Sequence, residues 1–372
     1  MFHLIFSLPG WYVIARFIIS LPITMTAKIL LSVLVLSATQ FLLISRFTSG
    51  SVFSPEMPRI IIILFNWAFC SVLFIALMQL LLDLVILTTL LFHHPLSGLD
   101  VVRYTLAFIA MAVAALGVTQ AIRIPRLKEV AITINNLPAE FEGFRMLQLT
   151  DLHLSRLFNA GWSSLLVEKV AEQDVDLIVI TGDVVDGTVQ NRRNDVEPLR
   201  RLNAPDGVLA VTGNHEYFFG QQRWTEHLNS LGLKTLLNNH AVICRGDAKL
   251  VIAGVTDASA GRRGAPGSDL TKALADTPQD APVILLDHQP RNARRNAEQG
   301  VDLQLSGHTH GGLIAGFDRL FAGANGGFVS GRYDVAGMQL YVNNGTALWP
   351  GMAIRLGRPS ELTRITLKRA IQ

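Results

Sequence analysis

The chain has 372 residues, 50% of them hydrophobic, and a formal net charge of +3 at neutral pH. A protein this apolar is not expected to be wholly soluble, and so small a charge does not indicate nucleic-acid binding. The polar residues are unevenly distributed, because only eight charged side chains lie before residue 123. We therefore expect a membrane-embedded helical region over residues 1–122 and a folded domain over residues 123–372, which is long enough to bury its own core.

Four apolar segments of the first part approach the roughly 20 residues that a membrane-spanning helix needs. They lie at about 4–23, 29–45, 60–82 and 102–121. Pro9, Gly10 and Arg16 interrupt the first, so an interfacial or re-entrant segment is the alternative there, and a cleaved signal peptide would explain this segment alone. Asp83 follows the third segment and is expected to mark its end; the alternative is a polar residue that faces the interior of the helical bundle.

The basic residues in the short connections between the apolar segments predict on which side of the membrane each connection lies. With four spans and a cytoplasmic N-terminus, the cytoplasmic side holds more of them than the outer side: Arg46, Arg59, Arg123, Arg126 and Lys128 against Lys28 and Arg103. The folded domain is then cytoplasmic, on a bacterial-type inner membrane, and the assignment reverses if the first segment does not span. The two cysteines, Cys70 and Cys244, fall in different parts, so no disulfide within one part is available.

In the second part, five short apolar runs have the pattern of buried strands, and a polar motif follows each. The runs are 146–150, 177–181, 208–212, 283–286 and 303–306. Helix-like stretches lie between the motifs, at about 161–173, 192–202, 222–231 and 290–299, and a β-rich tail covers about 328–368. This alternation predicts two mixed sheets packed face to face with helices outside. The motifs at the strand ends should converge on one cleft.

The five motifs contain the side chains that a two-metal site needs. They are Asp151-Leu-His153, Gly182-Asp183-Val-Val-Asp186, Gly213-Asn214-His215-Glu216, Asp287-His288 and Gly307-His308-Thr-His310. Carboxylate, imidazole and amide ligands suit manganese, iron or zinc, and the lack of cysteine in the motifs argues against a structural zinc site. Two cations about 3.5–4 Å apart generate an attacking hydroxide and hold phosphoryl oxygens in line. The motifs therefore predict a dinuclear metal site.

In this order, the motifs resemble the signature of the calcineurin-like metallophosphoesterases, most closely the subgroup with membrane-spanning segments before the phosphoesterase domain. The similarity extends from about Val130 to the C-terminus, with one departure: Leu313 stands where relatives often carry glutamine. The resemblance implies a four-layer α/β/β/α sandwich and two divalent ions, with manganese expected first. It assigns the ligands as Asp151, His153 and His310 to one ion, Asn214, His288 and His308 to the other, and Asp183 to both.

The resemblance also implies roles for residues beside the ligands. His215 is expected to stabilise or protonate the leaving oxygen, and Asp186 to orient His215 by accepting its other ring proton. Glu216 and Asp287 are either hydrogen-bond acceptors around the site or solvated loop carboxylates. Asn343-Asn344-Gly345 has the pattern of a turn, although relatives place a loop near the metals at this point.

The expected function is that of a membrane-anchored phosphohydrolase that cleaves phosphoester or pyrophosphate bonds. The short connector at 122–130 favours a lipid-linked substrate, such as UDP-2,3-diacylglucosamine of lipid A synthesis, which some metallophosphoesterases of this type hydrolyse. The alternatives are a general phosphodiesterase or phosphatase acting on soluble or cell-envelope substrates, and an inactive membrane scaffold. All seven ligand positions are present, which favours an enzyme. Loops after Gly187, around 220–224 and through 258–270 are expected to shape the mouth of the cleft.

Overall fold

The computed structural model describes residues 2–94 and 96–370. The chain divides into two compact units. One comprises Met1–Ala121 together with Pro350–Ile354, and the other comprises Ile122–Trp349 together with Arg355–Gln372.

The described part of the first unit is helical. Its elements are α1 (Phe2–Tyr12) with a π-helical turn at Val13–Ile18, α2 (Met25–Thr39), α3 (Phe41–Ser49), α4 (Arg59–Leu91) and α5 (Leu99–Ala121). Within residues 2–94 and 96–370, α4 and α5 are each long and apolar enough to cross a membrane. Helices α2 and α3 pass the same test together but are bent by 57°.

The described residues therefore contain two candidate spans, or three if the bent pair is one span, where the sequence predicted four. The segments expected at 60–82 and 102–121 correspond to α4 and α5. The first expected segment, 4–23, is a shorter apolar helix at Ile5–Ile18. It stops before Pro22, and proline disfavours helical conformation in the residue that precedes it.

Asp83 lies inside α4, which continues to Leu91. Its carboxylate accepts hydrogen bonds from Tyr12 Oη at 2.6 Å, Arg16 Nε at 2.9 Å and Gln79 Nε2 at 2.8 Å. The expectation that Asp83 marks the end of a span was wrong. Because partners from the first helical segment satisfy the carboxylate, the helix does not need to end where the charge appears, and Asp83 faces the interior of the unit.

The second unit contains two six-stranded sheets. The order of the first is β1-β12-β2-β3-β4-β5, with β1 (Leu127–Ile134), β2 (Arg145–Leu149), β3 (Leu177–Thr181), β4 (Val208–Val211), β5 (Lys234–Thr235) and β12 (Leu362–Arg369). The order of the second is β10-β11-β9-β8-β7-β6, with β6 (Asn239–Arg245), β7 (Ala248–Gly254), β8 (Val283–Leu286), β9 (Leu303–Ser306), β10 (Gly331–Val335) and β11 (Met338–Val342). Strands β2 to β5 are parallel to one another, as are β7, β8, β9 and β11.

The two sheets pack face to face through a buried apolar core. Leu250 and Ile252 of β7 share one cluster with Met146 of β2 and Leu177 of β3. The alternate residues of β7 point to the opposite face, where Val251 joins a second cluster with helical residues. The helices of this unit are α6 (Ala160–Ala171), α7 (Val189–Val196), α8 (Asn214–Phe218), α9 (Gln221–Ser230), α10 (Leu270–Ala273), α11 (Ala293–Glu298) and α12 (Asp318–Ala322). Residues of α10 and α11 belong to the second cluster, on the outer face of the second sheet. The expected α/β/β/α sandwich is confirmed.

Candidate metal centre

The polar motifs follow the ends of parallel strands in both sheets. The first sheet supplies Asp151 after β2, Asp183 after β3 and Asn214 after β4, while the second supplies His288 after β8 and His308 after β9. Parallel strands end at the same edge of a sheet, and the two sheets share one core. The motif side chains consequently meet in one place, as the strand pattern predicts.

Several of these residues have left-handed backbone conformations that non-glycine residues seldom adopt. The φ angles are +53° at Asp151, +41° at His153, +53° at Asp183, +68° at His308 and +49° at His310. Such conformations cost about 1–3 kcal/mol each and concentrate at functional sites. Hydrogen bonds between the strand-end loops hold them: Asp151 N–H donates to Gly182 O at 2.9 Å and His153 N–H to Asp183 O at 3.0 Å.

One cluster of ligand atoms consists of Asp151, His153 and His310. His153 Nε2 lies 3.3 Å from His310 Nε2, and Asp151 Oδ1 lies 3.8 Å and 3.7 Å from these two nitrogens. The side chains of Asp151 and His153 are fully buried. A carboxylate and two imidazoles that converge at this spacing are able to hold one metal ion.

A second cluster consists of Asp183, His288 and His308. Asp183 Oδ2 is 3.3 Å from His288 Nε2 and 3.8 Å from His153 Nε2, so this carboxylate lies between the two clusters. Asn214 Oδ1 adjoins the second cluster, 3.2 Å from His288 Nε2. The structure thus brings together all seven residues that the resemblance assigns as ligands.

The histidines are arranged to present a lone pair to the centre. His288 Nδ1 lies 2.7 Å from Thr181 O, and because a carbonyl only accepts, Nδ1 carries the proton and Nε2 is free to bind a metal. His153 Nδ1 faces Asp186 Oδ2 at 3.2 Å, which leaves its Nε2 toward the cluster in the same way. Burial lowers the pKa of His308 to about 3, so His308 is neutral as a ligand must be.

His215 and Asp186 form a pair beside the two clusters. His215 Nδ1 makes a short hydrogen bond with Asp186 Oδ1, and the His215 Nε2 atom is 3.9 Å from Asp183 Oδ2. Burial alone would lower the pKa of His215, but the carboxylates of Asp183 and Asp186 outweigh it and raise the pKa to about 9. Asp186 contacts both His215 and His153, so it supports a ligand as well as the expected acid.

Glu216 and Asp287 are buried acceptors rather than solvated loop carboxylates. The Glu216 carboxylate accepts backbone N–H bonds from Gly213 at 2.6 Å, Val184 at 2.8 Å and Asp183 at 3.1 Å, and so joins two motif loops. Asp287 accepts from Asn296 Nδ2 at 3.2 Å. Burial, with the nearby Asp257 carboxylate, raises the pKa of Asp287 to about 7.

Arg355 is a buried residue near the clusters to which the sequence assigned no role. Its guanidinium donates to the carbonyl oxygens of His310, Asn344 and Ala347. Ala347 N–H in turn donates to Asp151 O at 3.1 Å. Arg355 therefore fastens the loop that follows β11 against the backbone of two candidate ligands.

The Asn343-Asn344-Gly345 turn lies in this same loop. Gly345 has φ +88°, and a Cβ there would lie 3.0 Å from His310 Nδ1 and 3.2 Å from the Cβ of Asp151. Asn344 Nδ2 donates to Glu361 Oε1 at 2.9 Å, which ties the turn to the segment before β12. The turn thus packs directly against ligand side chains, and glycine is favoured by the positive φ angle and by the tight fit.

The family model for calcineurin-like phosphoesterases matches residues 144–312 of the chain. A zebrafish (Danio rerio) transmembrane protein with metallophosphoesterase domain is 34% identical over 275 residues, which cover 71% of this chain and 62% of that protein. An uncharacterized metallophosphoesterase of Helicobacter pylori strain J99 is 35% identical over 245 residues, which cover 65% of this chain and 64% of that protein. In both cases the match spans less than two thirds of the relative.

A metallophosphoesterase of Bacillus subtilis strain 168, YkuE, is covered more fully. It is 31% identical over 247 residues, which make up 64% of this chain and 84% of that protein. Among solved structures, a 5′-nucleotidase precursor from Thermus thermophilus is 16% identical, with a TM-score of 0.39. The match covers 60% of this chain and 55% of that chain. A likeness at that level does not bear on activity or substrate.

Proposed function

Because this chain belongs to the calcineurin-like phosphoesterase family, we propose that it hydrolyses a phosphoester or pyrophosphate bond with two divalent metal ions. The observation that carries the proposal is the position of Asp183 between two clusters of carboxylate, imidazole and amide ligands. A carboxylate has two oxygens, so one residue in that position is able to contact both ions.

The donor set fits the ions that the family implies. Imidazoles from four histidines and oxygens from Asp151, Asp183 and Asn214 suit manganese, iron or zinc, and we propose manganese. Two such ions would supply the positive charge that acidifies water and offsets the negative charge of the phosphoryl oxygens. His288 contributes to this fit through its tautomer, since Thr181 O fixes the proton on Nδ1.

His215 is the proposed acid for the leaving oxygen. It is buried, its Nδ1 is held by Asp186, and its Nε2 points toward Asp183 at the centre. Because the carboxylates raise its pKa to about 9, His215 carries a proton at neutral pH in the absence of metals. Asp186 keeps the ring in position and stabilises the charge on it, as a carboxylate commonly does for a catalytic histidine.

Membrane anchoring and a membrane-resident substrate belong to the same proposal. Helices α4 and α5 are able to span a membrane, and β1 begins at Leu127, shortly after α5 ends at Ala121. A water-soluble substrate gains nothing from such anchoring, whereas a lipid-linked phosphoester gains local concentration. We propose a lipid-linked substrate such as UDP-2,3-diacylglucosamine, handled on the cytoplasmic face of a bacterial inner membrane, with a general phosphodiesterase or phosphatase activity as the second candidate.

Replacing Asp183 tests the metal chemistry. Asp183→Ala should lose both ions and all turnover, because neither cluster retains the carboxylate that it shares. Bound metal and the hydrolysis of a phosphoester panel are measured on the same purified samples. Asp280→Ala is the control, since Asp280 is an exposed aspartate outside the motifs. An Asp183→Ala protein with two bound ions and the wild-type rate would refute the proposal.

The lipid assignment is tested separately with the wild-type protein in liposomes. Turnover of UDP-2,3-diacylglucosamine is compared with that of its deacylated analogue, and the acylated substrate should be preferred. Equal rates for both, or no hydrolysis of either beside rapid cleavage of a soluble phosphodiester, would reject the lipid substrate and leave the metal chemistry intact.

A further inference from the structure

A cavity of about 540 Å³ borders the short helix α8, which carries His215. Three separate loops line it, through Thr188, Val189, Gln190, Tyr217, Phe219, Gly220, Gln221, Gln222, Arg223, Arg263, Gly264 and Ala265. These are the three loops that were expected to shape the mouth of the cleft. We call this space the loop cavity.

Phe218 connects His215 with the loop cavity. It lies in the same short helix as His215 and Tyr217, and Tyr217 lines the cavity. The His215 ring is 5.0 Å from the Phe218 ring, and the Arg263 guanidinium lies 4.6 Å from the centre of that same Phe218 ring. A group that takes its proton from His215 would therefore depart toward this cavity.

The charge of the loop cavity is positive. Arg223 and Arg263 line it, and none of its lining residues within the described chain is acidic. Both arginines are exposed, and no carboxylate forms an ion pair with either among the described residues. The planar guanidinium of arginine binds phosphate through paired N–H bonds, as it binds carboxylate.

The size of the loop cavity exceeds the needs of the reacting phosphate alone. Ligand pockets of about 300–1,000 Å³ accommodate molecules of nucleotide or drug size. Tyr217 and Phe219 give the cavity an aromatic wall beside its two arginines. The matching occupant has a flat or apolar portion and an anionic group.

We propose that the loop cavity binds the leaving group of the substrate, and that this leaving group carries a phosphate which Arg223 and Arg263 recognise. The assignment rests on the proposed phosphohydrolase function and narrows it to diphosphate diesters. Water adds its oxygen to one phosphorus of the diphosphate, and the bond from that phosphorus to the bridging oxygen breaks. The bridging oxygen leaves with the bonding electron pair and the second phosphate as a phosphate monoester, and it takes up the proton from His215. The attacking water releases one proton to the solvent, and His215 regains its proton from the solvent.

The test compares two substrates that differ only in the leaving group. Diuridine 5′,5′-diphosphate releases UMP, which carries a phosphate, whereas uridine 5′-(p-nitrophenyl) phosphate releases nitrophenol, which does not. The measured quantity is the ratio of kcat/KM for the diphosphate to kcat/KM for the nitrophenyl ester, with full-length protein in detergent and Mn²⁺ present. This ratio cancels effects that a variant has on metal binding or on folding.

In the Arg223→Ala/Arg263→Ala double variant, the ratio should fall about 10–100-fold, since each charge-assisted contact of an exposed arginine is worth about three- to tenfold. Arg223→Lys/Arg263→Lys keeps the charge and should lose less. Arg262→Ala is the matched control: Arg262 neighbours Arg263 in the same loop but does not line the cavity, so the ratio should stay within about twofold.

Three results would overturn the proposal. The first is a kcat/KM ratio that does not change in the double alanine variant, and the second is a ratio that falls equally in Arg262→Ala. The third is a wild type that cleaves the nitrophenyl ester but not the diphosphate. Each of these leaves the proposed hydrolase function standing. If the metal-loaded wild type cleaves neither ester, the leaving-group assignment fails, and the Asp183→Ala comparison on the phosphoester panel decides the hydrolase function separately.

Discussion

Arg355→Met should destabilise the second unit and weaken metal binding at the cluster of Asp151, His153 and His310. The methionine keeps much of the side-chain volume but removes every hydrogen-bond donor. Arg355 donates to four carbonyl oxygens, those of His310, Asn344, Ala347 and Arg358, and of these His310 O also accepts from Leu313 N–H at 3.1 Å. The Asn344 and Ala347 carbonyls have no further donor among the described residues, so two buried acceptors lose their only partner.

The size of the effect follows from those two acceptors. An unsatisfied buried carbonyl costs about 1–3 kcal/mol, so the variant should lose about 2–6 kcal/mol of stability. Removal of a buried charge offsets part of this loss, since burial already lowers the pKa of Arg355 to about 10. For a unit of this size, about 4 kcal/mol corresponds to a fall in Tm of about 10 °C.

Thermal unfolding of the metal-free protein measures the loss of stability, and titration with Mn²⁺ measures the loss of metal affinity. Loss of the Arg355 contacts should loosen the backbone of His310 and Asp151 and weaken one of the two bound ions. Arg358→Met is the control, because Arg358 makes a partly exposed ion pair with Asp318 at 3.2 Å, worth under about 1 kcal/mol. A variant at Arg355 with unchanged Tm and unchanged Mn²⁺ affinity at both clusters would refute the reasoning.

Two further predictions concern the chemistry of the centre. The His215→Ala variant should retain both ions but lose about 10²–10⁴-fold in rate. The loss should be smaller for nitrophenyl esters than for alkyl esters, because a good leaving group needs less protonation. His227→Ala is the control, and an equal loss of rate for both esters would exclude His215 as the acid. Removal of metal by a chelator should abolish turnover and lower the Tm. Each ion that is present at 100 times its Kd contributes about 2.7 kcal/mol to the stability of the folded protein, and this contribution is lost with the ion. Addition of Mn²⁺ should restore both turnover and Tm. Full activity in the metal-free protein would contradict the two-metal proposal.

The arrangement of the centre was predictable because it depends on strand ends. Each motif follows an apolar run, and parallel strands bring their ends to one edge regardless of the loops between them. Asp151 and His308 are far apart in sequence, yet the His308 N–H donates to Asp151 Oδ2 at 3.1 Å. Residue type and strand position were sufficient to place them together.

Features that depend on contacts between distant segments were not predictable in this way. Asp83 looks like the end of a span because the charge is visible in the sequence, whereas its partner Arg16, which lies 67 positions away, is not recognisable as such. Arg355 serves backbone carbonyls, which carry no residue-type signal. The hairpin of β6 and β7 was also missed. Strand β6 mixes exposed and buried positions, so its apolar pattern is weak.

The side of the membrane on which the folded part lies depends on the number of spans, and the two candidate counts give opposite answers. With a cytoplasmic N-terminus, two spans return the chain to the cytoplasm before β1, and three spans leave it outside. The basic residues Arg123, Arg126 and Lys128 just after α5 favour the cytoplasm under the positive-inside rule. We therefore expect a cytoplasmic folded part.

The two cysteines of the chain allow a direct test of that expectation. Cys244 is exposed on β6, and Cys70 is buried within α4, so a membrane-impermeant maleimide should react with Cys244 alone. Intact spheroplasts should show no labelling, and inverted membrane vesicles should be labelled. Cys244→Ser should abolish the signal and Cys70→Ser should preserve it. Labelling of Cys244 in intact spheroplasts would place the folded part outside, which would also exclude a substrate confined to the cytoplasmic leaflet.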